Sequence, residues 1–483
     1  MAKKIYVILL FFVVLDSGYS FYQHYHMPLY GDMAGIIIPT PSEGYYQVLH
    51  DPFGLQVLLK DKIYQNPNRF FAHWPASLYF LNMPLFLQKF VSPIDSVYLS
   101  CAIVKILIQL FILYLLAVFI SGTSNVLKLD FMLAAALIAP LFQTSGYGRY
   151  MGIIDPSVIY TFFYALPLGL LLLFYLPFYD SFYQKKNTRF SILLKIVLGI
   201  FILILSLNGP LVPGVVIIVC PLVLLNSALK NYKSMGTLPF YNRVLLSGKK
   251  IPRNILFYFP AIIILCVYSL YIGRNNTLNF GDSIPLLERY SRIPTGIYNL
   301  LTQKLGYPLL LLMIITNVII IRKNYNTIQG NRIMVFIKWI GIFAIIYLLL
   351  LPVGGFRIYR PNIIRYDTIM PITIGAIFVF GFTAFYLIRN MSGKNKKIYI
   401  TVIIIFLGIF TNTDTLDTKD YACERKAIET IAQSPEKIVI LHCDCPVMDW
   451  RKISDIKRSE MNAVLFYYWN ITKTIKLYNQ QGQ

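Results

Sequence analysis

The sequence predicts an all-α polytopic membrane protein with about eleven transmembrane helices, a cytoplasmic N-terminus and a small extracytoplasmic α/β appendage at the C-terminus. Hydrophobic residues make up 57% of the 483 positions and charged residues only 14%, whereas soluble proteins are roughly half apolar and a quarter charged. The apolar residues fall in runs of roughly 15 to 24, the length of helix that crosses a bilayer. The composition becomes polar after Thr411.

Each apolar run predicts one helix, because a helix satisfies its own backbone hydrogen bonds in lipid. The first run follows Lys3 and Lys4, and the residues after it make a poor cleavage site for a signal peptidase, so we expect this helix to be retained. The eleven runs are 5–22, 97–120, 131–145, 157–178, 191–208, 211–229, 255–272, 307–321, 333–352, 368–388 and 398–411.

The net charge of +22 is explained by membrane orientation and not by nucleic-acid binding, because Lys and Arg are spread over short loops and form no single basic face. With the N-terminus inside, the inner loops collect most of these cations and contain two acidic residues, Asp130 and Asp180. The positive-inside rule requires this distribution. We therefore expect a multi-pass protein of the bacterial inner membrane whose C-terminus is extracytoplasmic.

The chain divides into a transmembrane domain, 1–411, which includes a long outer loop at 23–96, and a C-terminal domain, 412–483. Prolines, glycines and aromatic residues in the outer loop predict short interfacial helices and turns. In the C-terminal domain, 437–441 is strand-like and 424–432 has a helical pattern. This domain is too small for a large core, so we expect it to pack on the outer loops.

Three cysteines lie in the C-terminal domain, on the side of the membrane where disulfides form. Cys423 is expected to pair with either Cys443 or Cys445, which leaves one thiol over. The segment also offers metal-capable side chains, but no paired ligand spacing predicts a metal site.

Asp32 is the first candidate for chemistry, because it closely follows the first helix and stands alone among apolar and aromatic residues. A carboxylate in such a setting can act as a general base at neutral pH. The alternative roles are a helix cap or a partner for an arginine. The same outer loop carries two further acidic candidates, Glu43 and Asp51.

A late outer loop provides the strongest binding signal, with four candidate residues: Arg357, Arg360, Arg365 and Tyr366. Inner loops contain mostly Lys, whereas the basic residues of the short outer loops are nearly all Arg. A guanidinium can hold phosphate through two parallel hydrogen bonds, and at the rim of the bilayer it can hold a lipid head group. The alternatives are an interfacial anchoring belt and ion pairs with outer acids such as Glu288 and Asp367.

A third outer segment contains Arg289 and Arg292, which a helix would place on one face because they are three residues apart. They are candidate substrate-binding residues, and structural packing is the alternative. Lys105 lies near a predicted helix end, from which its long side chain can reach the interface.

The chain resembles the GT-C class of membrane glycosyltransferases, which includes protein O-mannosyltransferases and aminoarabinose lipid A transferases. The shared features are about eleven helices, a long outer loop directly after the first helix with an early acidic residue at Gly31-Asp32, and a late Arg365-Tyr366 loop before Pro371. The topology covers most of the chain, and the motifs are short. The second acidic residue that usually neighbours the first is missing around Asp32.

The resemblance implies a donor sugar on polyprenyl phosphate and an envelope glycan, lipid or protein as the acceptor. Asp32 would deprotonate an acceptor hydroxyl, which attacks the anomeric carbon with inversion. The arginines of the late loop would offset the charge on the departing phosphate. Glu43 or Asp51 would orient the acceptor or hold a divalent cation, and no other cofactor is implied.

Two other functions fit the same residues. A non-enzymatic transporter or flippase for lipid-linked saccharides would need the arginines but not Asp32, and a polysaccharide polymerase would use a similar substrate. The sequence has no Walker motif, dinucleotide glycine fingerprint, HExxH motif or nucleophile elbow. These absences argue against an ATP-driven pump.

Overall fold

The computed structural model of the chain describes residues 2–41, 44–144, 151–182, 190–236, 239–281, 284–325, 327–354 and 362–481. Within these residues, every predicted apolar run coincides with helical structure.

The N-terminal helix and the first outer segment contain five helices: α1 (Ala2–Tyr25), α2 (Met33–Ile37), α3 (Gly44–His50), α4 (Leu55–Lys60) and α5 (Phe70–Leu87). The prediction of only short interfacial helices in this segment is wrong for α5, which has 18 residues. Pro75 and Pro84 lie inside α5. Proline usually ends helices because it removes a backbone donor. The two prolines therefore made this segment look like turns, and the sequence did not predict the helix.

The middle of the chain forms the next group of helices: α6 (Pro93–Ser121), α7 (Leu129–Ile138), α8 (Val158–Tyr160), α9 (Leu166–Phe182), α10 (Ile192–Ser206), α11 (Leu211–Lys233), α12 (Phe240–Lys249) and α13 (Arg253–Gly273). A π-helical turn, Thr161–Ala165, joins α8 to α9 in one continuous rod. Such turns are rare and occur often at functional sites.

The remaining elements are α14 (Leu286–Thr302), α15 (Gly306–Asn324), α16 (Ile328–Leu350), α17 (Tyr366–Asn390), α18 (Gly393–Thr413), α19 (Lys419–Gln433), β1 (Ile438–Leu441), α20 (Glu460–Tyr468) and β2 (Leu477–Gln480). The two strands are parallel, with Ile438 opposite Leu477. The structure therefore has a helix and a strand where the tail sequence predicted them, and it adds β2.

The described part of the chain has nine helices that are long and apolar enough to cross a membrane. They are α1, α6, the rod from α8 to α9, α11, α13, α15, α16, α17 and α18. Two further apolar helices, α7 and α10, are shorter. These findings describe an all-α protein of the multi-pass membrane class.

Helix ends that were predicted to share one side of the membrane contact each other. At the predicted outer side, Gln23 Nε2 donates to the Asp414 carbonyl at 2.9 Å, and the Tyr25 hydroxyl donates to Asp95 at 2.8 Å. At the predicted inner side, Arg389 pairs with Asp130 at 2.6 Å. For α1, α6, α7, α17 and α18, these contacts fit the alternating directions that the charge pattern predicts.

The tail packs on the first outer segment and the start of α6. Trp469 is fully buried and its indole N–H donates to the Phe80 carbonyl at 2.9 Å, while Arg425 pairs with Asp95 at 2.7 Å. The structure selects one of the two predicted disulfides, Cys423 to Cys445, and Cys443 keeps its thiol.

Candidate functional site

Asp32 lies in a cleft of about 490 Å³ between the first outer turn and the tail. It directly precedes α2, but its side chain makes no capping hydrogen bond to that helix. Across the cleft are Met448, Trp450 and the ion pair between Arg458 and Asp449, whose atoms are 3.1 Å apart. The Asp32 carboxylate therefore does not cap α2, which was one of its predicted roles. It borders a space that can admit a ligand.

The tail reaches Asp32 because Gly31 lets Trp450 lie directly on the turn. Gly31 has a φ of +72°, which favours glycine, and a Cβ atom at this position would overlap the Trp450 indole. The same indole stacks on Tyr30, with ring centroids 5.8 Å apart, and contacts Tyr160 at 5.5 Å. Trp450 lines the cleft and forms with Tyr30 and Tyr160, which are not in the lining, an aromatic cluster from three distant parts of the sequence, here called the aromatic wall.

Glu424 of α19 fixes the tail to this turn. Its buried carboxylate accepts hydrogen bonds from the backbone N–H of Leu29 at 2.7 Å, from that of Met448 at 2.8 Å and from the Tyr98 hydroxyl at 3.0 Å. Burial is the main reason that the pKa of Glu424 is raised to about 7, against the lowering effect of these donors. A single carboxylate therefore joins both walls of the cleft.

A second buried acid, Asp155, lies next to the aromatic wall. Its carboxylate accepts the backbone N–H of Ser157 at 2.7 Å, its second oxygen is buried without a donor in the described chain, and the Tyr366 hydroxyl lies nearby; burial raises the pKa of Asp155 to about 7. Lys105 is 1% exposed and donates to the Pro156 carbonyl. The Lys105 side chain thus extends to Met27 and Pro156, in two segments that were predicted to lie on the outer side, and its ammonium is buried there.

The predicted binding residues at the start of α17 are placed near this cluster. Arg365 forms a bidentate pair with the buried Asp367, at 3.0 and 3.1 Å, so the alternative role of ion pairing is observed for this arginine. Tyr366 follows and contacts Asp155. Arg357 and Arg360 lie outside the described residues.

The arginines of α14 also have structural partners. Arg292 pairs with Glu288 at 2.9 Å, one helical turn away. Arg289 donates to the carbonyls of Ile284 at 3.1 Å and Pro352 at 3.3 Å, which ties α14 to the end of α16. Both side chains therefore have the packing role that was the alternative to substrate binding.

The other two acidic candidates are Glu43 and Asp51, and the structure describes the second of them. Glu43 lies outside the described residues. Asp51 is buried, and its carboxylate accepts the backbone N–H groups of Leu55 and Gln56 and the Tyr64 hydroxyl, at 2.8 to 2.9 Å. These bonds hold the start of α4, which is a structural use of the carboxylate.

The structure brings some predicted site residues together and separates others. Asp32 lines the cleft, and Tyr366 reaches the aromatic wall through Asp155. The described lining of the cleft does not include the other predicted binding residues, which are Asp51, Arg289, Arg292 and Arg365. Sequence analysis did not single out Trp450 or Glu424, because nothing in the local pattern connects the tail with residue 31.

Two other parts of the described chain could in principle hold a ligand or a metal ion. A groove of about 540 Å³ runs along β1, but Glu436 is the one ionisable residue in its described lining. Within the described chain, Cys423, Cys443 and Cys445 form the group of metal-capable side chains that lie close together. Two of these cysteines form the disulfide, which removes them as thiolate ligands. The Asp32 cleft is therefore the better candidate.

The fold and the cleft define a multi-pass helical membrane protein with a carboxylate in a pocket at one end of its helices. Comparison of the chain with protein-family models, with curated proteins and with solved structures finds no match.

Proposed function

We propose that this protein is a membrane glycosyltransferase that moves a sugar from a polyprenyl-phosphate-linked donor to an extracytoplasmic acceptor. The observation that carries the proposal is the position of Asp32, in a ligand-sized cleft beyond the end of α1 and outside the apolar helices. A carboxylate here can meet a donor whose tail stays in lipid and an acceptor that comes from water.

The proposed reaction uses the Asp32 carboxylate as a general base. It takes the proton of an acceptor hydroxyl, the hydroxyl oxygen forms a bond to the anomeric carbon with inversion, and the bond from that carbon to the phosphate oxygen breaks. The electron pair leaves with the phosphate. Arg357, Arg360 and Arg365 would offset this charge, and the Asp367 pair orients the Arg365 guanidinium beforehand.

Contacts between the two predicted halves of the site support the proposal. The start of α17 meets Asp155 through the Tyr366 hydroxyl, and the adjoining Tyr160 contacts Trp450, which lies on the Gly31 turn. These contacts connect Tyr366, the neighbour of Arg365 in the chain, with the Gly31 turn, whereas the Arg365 guanidinium itself is paired with Asp367.

The proposed topology has eleven crossings, with α7 and α10 as short spans, and a cytoplasmic N-terminus in the bacterial inner membrane. The cleft and the tail then face the extracytoplasmic side. The alternation of helix ends and the charges of the loops support this arrangement.

A transfer assay with the Asp32→Asn variant tests the proposal. Membranes containing the full chain are given a radiolabelled polyprenyl-phosphate sugar, and the label that reaches envelope acceptors is followed. We expect the rate to fall roughly 100- to 10,000-fold, the usual contribution of a general base.

The matched control is Asp61→Asn, which removes an exposed outer carboxylate that pairs with Arg274. We expect this variant to transfer sugar at the rate of the unaltered protein. Full transfer by Asp32→Asn would contradict the proposal, and movement of the intact lipid-linked saccharide across the membrane in both variants would favour the transporter instead.

A further inference from the structure

Two hydrogen-bond donors near the Asp32 cleft have no acceptor in the described chain. Arg69 directly precedes α5, and His73 lies in the first turn of that helix. The cleft adjoins them, because Tyr45 and Gln65 line it and the Tyr45 ring lies 5.3 Å from the His73 ring.

A relay of amides fixes the tautomer of His73. The Leu278 backbone N–H donates to Asn276 Oδ1 at 3.2 Å, so the other end of that amide, Nδ2, donates to Asn66 Oδ1 at 3.1 Å. Asn66 Nδ2 must then donate to His73 Nε2, which is 3.2 Å away. Since Nε2 accepts, the proton of the neutral ring is on Nδ1.

The Nδ1–H group of His73 is buried and has no partner among the described residues. Burial is the main reason that the pKa of His73 is lowered to about 3, and the charge of Arg69 adds to it, so the ring is neutral at physiological pH. A buried donor without an acceptor costs free energy, and such groups in native proteins call for an explanation. A ligand that supplies an acceptor is one explanation.

Arg69 is held in place by aromatic packing and not by an acid. Its guanidinium carbon lies 5.3 Å from the ring centre of Phe163 and 5.8 Å from that of Tyr164. No carboxylate or hydrogen-bond acceptor meets the guanidinium within the described residues. Gly209 leaves room for the side chain, since a Cβ there would be 2.7 Å from Arg69 Nε.

The surroundings of the two donors also suit a ligand. Phe163 and Tyr164 belong to the π-helical turn, and the Phe163 ring lies 4.8 Å from the His73 ring. Gln65 Oε1, on the cleft side, is buried and lacks a donor in the described chain. Two donors that suit an anionic group, on Arg69 and His73, therefore lie beside the cleft, and Gln65, which lines the cleft, has one acceptor that suits a hydroxyl.

We propose that Arg69 and the Nδ1–H of His73 form a binding subsite for a phosphate group, next to the Asp32 cleft. A phosphate has enough oxygens to accept from the guanidinium and the imidazole at once. The phosphate could belong to a membrane lipid or to a soluble phosphorylated molecule. Assigning it to the carrier of the donor sugar rests on the proposed function, whereas phosphate binding itself does not.

Binding to the purified full chain in detergent tests the subsite, with polyprenyl monophosphate and inorganic phosphate as separate probes. We expect Arg69→Gln to weaken binding roughly 10- to 100-fold, because a charged hydrogen bond is lost. His73→Gln should weaken it too, whereas His73→Asn should keep more affinity, since its amide nitrogen takes the place of Nδ1. The matched control is Arg274→Gln, because Arg274 also stacks on an aromatic ring, 4.1 Å away, but pairs with Asp61.

A second measurement is made on the unaltered chain and uses a variant only to assign the signal. In the chain labelled with ¹⁵N-histidine, the His73 resonances should show a protonated Nδ1, and its proton should shift downfield when the binding probe is added. Of the five histidines, the affected one is assigned by its loss in His73→Gln.

The possible outcomes distinguish a lipid phosphate from a soluble one, and they test the subsite separately from the proposed function. Tighter binding of polyprenyl monophosphate than of inorganic phosphate identifies a lipid, and equal binding identifies a soluble phosphate compound. The subsite is overturned if neither probe binds, or if Arg69→Gln and His73→Gln bind as well as Arg274→Gln does. If these variants lose binding while Asp32→Asn transfers sugar normally, the subsite stands and the proposed function falls.

Discussion

Single residues hold the tail over the cleft. Glu424 accepts hydrogen bonds from Leu29 and Met448 with its two carboxylate oxygens. Gly31 has no side chain, so Trp450 can contact its backbone closely. Neither contact follows from local sequence patterns, because its partners are hundreds of positions apart. The sequence identifies Asp32 by its isolation, but it does not show which residues face it.

The titration of Glu424 should make the tail less stable as the pH rises. Its pKa is raised from 4.5 to about 7 in the folded protein, so the folded state binds the proton more tightly than the unfolded state does. This contribution is complete below about pH 4.5 and is lost as the pH rises through about 7; its size is on the order of 3 kcal/mol. We expect the free energy of tail unfolding to fall by most of this amount between pH 5 and 8, and the unfolding midpoint to fall with it.

The comparison with Glu424→Gln isolates this effect, because glutamine does not titrate. Its unfolding midpoint, followed by tail proteolysis during heating, should depend much less on pH over this range. Equal slopes in the two proteins would mean that another group is responsible.

Gly31→Ala should displace Trp450 from the turn. The added methyl would overlap the indole, and the φ of +72° is unfavourable for alanine, so we expect a loss of about 1–3 kcal/mol in tail stability. The measurement is the tryptophan fluorescence of the chain during unfolding, and the part that comes from Trp450 is identified by its loss in Trp450→Phe. Gly248→Ala is the control, because no atom lies within 4 Å of that added Cβ, and it should leave the emission unchanged.

At the scale of elements, hydrophobicity predicts the long helices well and the short or interrupted ones less well. Eleven apolar runs coincide with helices because the bilayer length sets the pattern. The helix α5 was missed because its prolines look like helix ends, and β2 was missed because Leu477–Gln480 has little apolar character. Its pairing with β1 depends on the tail fold and not on local propensity.

The Cys423–Cys445 disulfide joins α19 to the segment that leads to Trp450. Opening it with Cys423→Ser and Cys445→Ser together should destabilise the tail by about 2–5 kcal/mol, the usual effect of removing a native disulfide from a small unit. Limited proteolysis should then cut between residues 412 and 481 at lower temperature.

Cys443→Ser is the matched control, since Cys443 has a free thiol beside the same disulfide. It should leave the proteolysis pattern as it is. If the double variant resists protease as the unaltered chain does, the disulfide does not hold the cleft wall.

At the scale of the whole molecule, we propose that the Asp32 cleft opens on the extracytoplasmic side. The charge pattern predicts this orientation, and the alternating helix ends fit it, but contacts within the chain are the same in either orientation. Sidedness therefore has to be measured with respect to the membrane. If it is correct, the tail, the aromatic wall and the phosphate subsite all share the outer face.

The direct measurement is thiol labelling with a membrane-impermeant maleimide, in cells whose inner membrane is intact. Arg451→Cys places a thiol on the exposed residue next to Trp450, and Lys250→Cys places one on the exposed residue after α12, both in a Cys443→Ser background. We expect the thiol at 451 to react at once and the thiol at 250 to react only after the membrane is permeabilised. The opposite pattern would put the Asp32 cleft in the cytoplasm and contradict the account.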